Sequence, residues 1–128
     1  MPLPTRRRLI VKLWGLGVGL ILLFWLPVES GNPYVLLGLA AAGSLWLSAY
    51  LRSRHAHIPL FISGLLAGAL TAPAAVALAV LKTGVHAHGN AADFSPQLLA
   101  AILQQTPWFA LGGLLTGAAC QLWPGNNA

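Results

Sequence analysis

Charge is what this chain has least of. Two acids, Glu29 and Asp93, and seven basic residues are spread over 128 positions, while 57% of the residues are hydrophobic. Soluble domains carry roughly a quarter charged residues, so this balance argues against a water-facing globular protein and for lipid as the surrounding solvent. Cysteine occurs once, as Cys120, which excludes an intrachain disulfide. Its apolar neighbours predict a small buried hydrophobe. Catalytic patterns are missing as well: there is no Ser-x-x-Lys, no Gly-x-Ser-x-Gly, no glycine-rich phosphate loop and no pair of carboxylates close in sequence. These absences predict a protein that is not an enzyme and needs no cofactor.

What is present is a series of long apolar runs. A hydrocarbon core about 30 Å thick needs about 20 helical residues, because the helix rises about 1.5 Å per residue and satisfies its own backbone. Runs from Leu9 to Pro27, Tyr34 to Leu51, Ile58 to Leu81 and Trp108 to Trp123 approach that length. Arg6, Arg7 and Arg8 ahead of the first run give it the start of a secretory signal, but "VESG" after Pro27 has no small-x-small cleavage pattern, so an uncleaved anchor is expected. Before the last run, Ser95-Pro96 reads as an N-cap and first helical residue. Leu98, Leu99, Ile102 and Leu103 then recur at helical spacing among Gln97, Gln104 and Gln105. The expected fold is therefore all-α: one domain over residues 1–128, an integral membrane protein with four transmembrane helices and a short amphipathic interfacial helix over about 96–105, ended or kinked at Thr106-Pro107. If the chain continues through Pro107 instead, one kinked helix runs from Pro96 to Trp123.

The basic residues orient this arrangement. Arg6, Arg7, Arg8 and Lys12 flank the first span, and Arg52 and Arg54 follow the second, leaving only Lys82 at the other end. The positive-inside tendency then places both chain ends in the cytoplasm of a bacterial-type inner membrane, or of an organelle or thylakoid membrane derived from one. The formal charge of +5 does not indicate nucleic acid, because the basic residues edge apolar runs and form no face interleaved with aromatics. Trp14, Tyr50 and Trp123 fall at the cytoplasmic ends and Trp25, Tyr34 and Trp108 at the outer ends, where amphipathic rings settle; Trp46, a turn deeper than Tyr50, reads as packing.

Small residues should mark helix contacts, since apolar burial hardly drives association in lipid. Gly15 and Gly19, Gly64 and Gly68, and Gly113 and Gly117 form three G-x-x-x-G pairs, and Gly38, Ala42, Ser44 and Ser48 line the second run. Pro73 should bend the third span, with Thr71 placed to bond a carbonyl freed there. No Asp, Glu, Arg or His lies near a span centre, which disfavours a monomeric proton-coupled carrier or an intramembrane protease.

The one polar concentration is "LKTGVHAHGNAADFSPQ", Leu81 to Gln97. Leu81 is expected to close the third span, with Lys82 reaching the headgroups and His86, His88 and Asp93 forming an outer-loop interaction surface. His86 and His88 project to one side of an extended strand and are open to Zn²⁺ or Cu²⁺, but three ligands fall short of the usual four. A second pair, His55 and His57 in "RHAH", falls at the opposite end.

Together these features predict a non-catalytic accessory subunit or assembly factor of a larger respiratory, photosynthetic or transport complex, with the bilayer and other membrane subunits as partners. One alternative is a small oligomeric transporter or channel, which requires Ser44, Ser48, Thr71 and Thr116 to face one interior. The other is metal or haem handling through the outer histidines.

Overall fold

The computed structural model describes residues 5–27, 31–55, 57–85 and 94–123. It is built from helices α1 (Thr5–Trp25), α2 (Pro33–Arg54), α3 (Leu60–Val85), α4 (Pro96–Gln104) and α5 (Thr106–Leu122). Four stretches are long and apolar enough to cross a membrane: Arg8–Trp25, Pro33–Arg54, Leu60–Val85 and Pro96–Leu122.

Local chemistry accounts for the helix starts. The Asn32 side chain accepts hydrogen bonds from the Tyr34 N–H at 2.9 Å and the Val35 N–H at 3.4 Å, with Pro33 as the first helical residue of α2. Ser95 caps α4 in the same way, accepting from the Leu98 N–H at 3.2 Å, again with proline next. Only Gln105 separates α4 from α5, and it too is right-handed helical, with φ −81° and ψ −5°. Pro107 offers no N–H to the carbonyl four residues back, that of Leu103. The Thr106 hydroxyl donates to that carbonyl at 2.6 Å, so the polar group is satisfied within the helix. The last apolar stretch is consequently 27 residues from Pro96 to Leu122, not the sixteen from Trp108 to Trp123. Gln105 divides this stretch into α4 and α5, close to the break expected at Thr106-Pro107.

The third helix also differs from expectation at its far end. It runs on through Val85, which places Lys82 inside it. Pro73 lies within α3 on an exposed face, but the Thr71 hydroxyl donates to the Ala67 carbonyl at 2.9 Å, four residues back, and not to Ala69, whose acceptor Pro73 leaves open.

Among the described residues the long helices stand in a row, not in a closed bundle. Helix α3 packs between α2 and α5, α1 approaches only α2, and α4 lies on α3. Two different kinds of packing hold the row. Near the ends of α1 and α3, side chains form a core of Trp25, Leu36, Ala40, Ala72, Ala75, Ala79, Phe94 and Ile102. Trp25, expected at the headgroup level, is thus an interior residue at 8% exposure, whereas Tyr34, Trp108 and Trp123 project outward.

Toward the other ends, α3 and α5 meet backbone to backbone. A Cβ placed on Gly64 or Gly113 would collide with the other's carbonyl oxygen, one on Gly68 would strike the Phe109 carbonyl, and one on Gly117 would lie 2.9 Å from the Phe61 Cα. These four glycines allow an approach that no other residue permits, which in lipid supplies dispersion contact where apolar burial supplies little. The first pair behaves differently. Gly15 accommodates the Trp46 indole, whose Nε1 donates to the Val11 carbonyl at 2.9 Å, while Gly19 faces open space and packs against nothing. Trp46 also stacks on Tyr50 with centroids 5.7 Å apart.

Gly112 and Gly113 are adjacent, yet only Gly113 abuts another backbone. Gly113→Ala should lower unfolding stability in detergent by about 1–3 kcal/mol, the usual cost of overpacking, and Gly112→Ala should leave it unchanged; thermal or denaturant unfolding followed by circular dichroism checks both.

Candidate functional site

Of the four residues that the polar stretch offered, His86, His88 and Asp93 lie outside the described residues. Lys82 lies within them, and it does not reach outward. It is fully buried, at 0% exposure. Positions 75, 79 and 82 recur at helical spacing, so once α3 continues past Leu81 its lysine falls on the same inward face as Ala75 and Ala79. That face meets the end of α1. The Lys82 ammonium lies 3.4 Å from the Trp25 carbonyl oxygen and 3.5 Å from that of Leu26, and 4.4 Å from the centroid of the Trp25 ring.

Each of these contacts answers a need. The last carbonyls of a helix lack intrahelical donors and carry the negative end of its dipole, so a cation is favourable there. The ring face adds a cation–π attraction that strengthens where water is excluded. A buried ammonium requires such compensation, because leaving one without hydrogen-bond acceptors costs far more than the contacts cost to make. Lys82 therefore joins α3 to α1, two helices whose backbones do not otherwise meet. The buried atoms Trp25 Nε1 and Ser44 Oγ have no hydrogen-bond partner among the described residues.

The four hydroxyls required for a polar path do not form one. Ser48 donates to the Leu45 carbonyl at 2.9 Å, Thr71 to Ala67 at 2.9 Å and Thr116 to Gly112 at 2.8 Å, each bond within its own helix. Thr71 lines one groove and Ser48 another, with Thr116 at the edge of both, while Ser44 is buried.

At the opposite end, His55 and His57 meet edge to face with centroids 5.8 Å apart, and His55 closes α2 by donating its N–H to the Leu51 carbonyl. Among the described residues no three metal-ligand side chains come together.

Concave surfaces accompany the row. A groove of about 560 Å³ runs over α3 between α2 and α5, with Gly38, Ala41, Thr71, Trp108 and Gly112 among its lining. A second, of about 430 Å³, lies between α1 and α5, and Cys120 is exposed along it, not buried as its sequence context suggested. A smaller cleft of about 200 Å³ is lined by Arg8, Lys12, Tyr50, Ser53 and Arg54. Sequence reasoning treated these basic residues only as markers of orientation; the cleft depends on α1 and α2 lying side by side, which no spacing within either helix reveals. No protein-family model, curated protein or solved structure matches the chain.

Replacing Lys82 by methionine, which keeps the length and removes the donor, should leave the carbonyls at the end of α1 without that partner. Amide exchange across residues 22–27 should accelerate and stability should fall by about 1–3 kcal/mol. Hydrogen-exchange mass spectrometry in detergent reads this directly, and Lys82→Arg should fall between the two.

Proposed function

We propose that this protein is a non-catalytic accessory subunit or assembly factor of a larger membrane complex, seated in a bacterial-type inner membrane or a membrane derived from one, with both termini cytoplasmic. The observation that carries this reading is the open groove along α2, α3 and α5. Its walls include Gly38 and Gly112, which no neighbouring helix covers, so a helix from another subunit can approach α2 and α5 closely. Close approach is the main source of helix association in lipid. Many large apolar side chains on α1, α2 and α5 also face outward, among them Phe24, Leu45, Leu111 and Leu115. A four-helix row leaves more such surface than a closed bundle and suits a part of an assembly.

The orientation rests on the basic residues around α1 and after α2. In that frame α4 begins the last crossing at the outer headgroup level, with Gln97 and Gln104 exposed and Ile102 turned to the core. The carrier reading draws no support from the hydroxyls, since three of the four are engaged by carbonyls of their own helices.

Affinity capture from mild detergent, followed by mass spectrometry, should recover a membrane subunit in stoichiometric amount; consistent recovery of this chain alone would contradict the proposal. Gly38 and Gly112 line the groove and face open space, so Gly38→Leu or Gly112→Leu fills it without disturbing the fold. Either should reduce the captured partner at least about tenfold, while Gly19→Leu, away from the groove, should not. Tags at the two ends should be protected from external protease in intact cells and accessible after permeabilisation.

A further inference from the structure

We propose that the cleft between α1 and α2 is a binding site for the phosphate headgroup of an anionic glycerophospholipid. Three cations from two helices, Arg8 and Lys12 of α1 and Arg54 of α2, line this one cleft together with Tyr50 and Ser53. No acidic side chain lines it, and the chain's acids, Glu29 and Asp93, follow the other ends of α1 and α3 in the sequence. Like charges gathered at one place repel one another unless an anion lies among them.

The cleft is also organised. The Arg54 guanidinium donates from Nη2 to the Tyr50 hydroxyl at 2.9 Å and lies 5.4 Å from the centre of its ring, so part of its rotamer freedom is already restricted. Tyr50 is held in turn by its stack on Trp46, and Trp46 by its bond to the Val11 carbonyl of α1. The Ser53 hydroxyl donates to the Tyr50 carbonyl at 2.7 Å. An arginine fixed this way keeps its remaining N–H donors for a phosphate, whose oxygens its planar fork matches.

A lipid, and not a free phosphate, is indicated by what adjoins the cleft. Ser53 lines both the cleft and the groove of about 430 Å³ between α1 and α5, whose walls include Ile10, Trp14, Leu45 and Leu60. A cationic hollow at the end of apolar helices, beside an apolar groove, matches a molecule with an anionic head and acyl chains. Basic pockets between membrane helices select anionic headgroups on this physical basis.

The test uses the full chain purified in a neutral detergent, titrated with phosphatidylglycerol or phosphatidylcholine in mixed micelles, with retained lipid counted by native mass spectrometry. Phosphatidylglycerol should remain bound at ratios where phosphatidylcholine does not. Lys12→Gln/Arg54→Gln should weaken its retention on the order of tenfold or more. Arg6→Gln, which removes the same kind of charge outside the cleft, should change it less than about twofold, and Lys12→Arg should preserve it, whereas Arg54→Lys, which loses the fork held on Tyr50, should weaken it. Equal retention of the two lipids, or equal weakening by Arg6→Gln, would overturn the proposal. So would protection by millimolar inorganic phosphate without any by phosphatidylglycerol. Should the double glutamine variant lose helix content, the comparison of the two lipids on the unaltered chain still decides the matter.

Discussion

The contact of α3 with α5 through Gly64, Gly68, Gly113 and Gly117 is the constraint around which the rest of the molecule is arranged. In water, two apolar helices adhere because both leave the solvent; in hydrocarbon that gain is largely absent, and contact distance decides which helices associate. Removing four side chains lets the carbonyl of one helix reach the backbone of the other, and α3 becomes the helix most extensively packed. Its remaining inward positions then fill with Ala67, Ala72, Ala75 and Ala79, residues small enough to admit α2 on the other side. The result is a row with α3 near its middle and with grooves along its faces.

A row built on close contact leaves its outermost member weakly held. The backbone of α1 meets only that of α2, where Trp46 lies over Gly15, and its further ties run through Trp25 in the core and through Lys82. Lys82 crosses from α3 to the carbonyls that end α1, with the Trp25 ring beneath it. Burying a charge in such a chain would be prohibitive without these acceptors, and their presence makes the lysine a structural joint. The two ends of the molecule thus differ in character. One carries a core with a buried cation, and the other carries exposed cations around a cleft beside the glycine contact.

That asymmetry bears on function. Among the described residues the hydroxyls of Ser48, Thr71 and Thr116 are bonded within their own helices and form no continuous polar line with Ser44. What the helices offer are surfaces: an apolar groove with Gly38 and Gly112 open on its walls and a cationic cleft beside a second groove. The proposed association with protein rests on the first of these surfaces and the proposed association with lipid on the second.

Much of this was legible in the residues themselves. The four long apolar stretches followed from the runs, the start of α4 from Ser95-Pro96, and the lack of a charged residue at span centres from inspection, because these are properties of one segment and its solvent. Of the candidate site, His86, His88 and Asp93 remain a sequence-level grouping. Other features depended on neighbours and were decided only in three dimensions. Gly15 and Gly19 are alike in sequence, but an indole lies over one and nothing over the other. Lys82 and Trp25 stand where an anchor at the headgroups would stand, yet the continuation of α3 turns the lysine inward and the end of α1 covers it. A helical period states which residues share a face; only the packing of helices states what that face meets, and for a charge or a glycine the meeting decides the role.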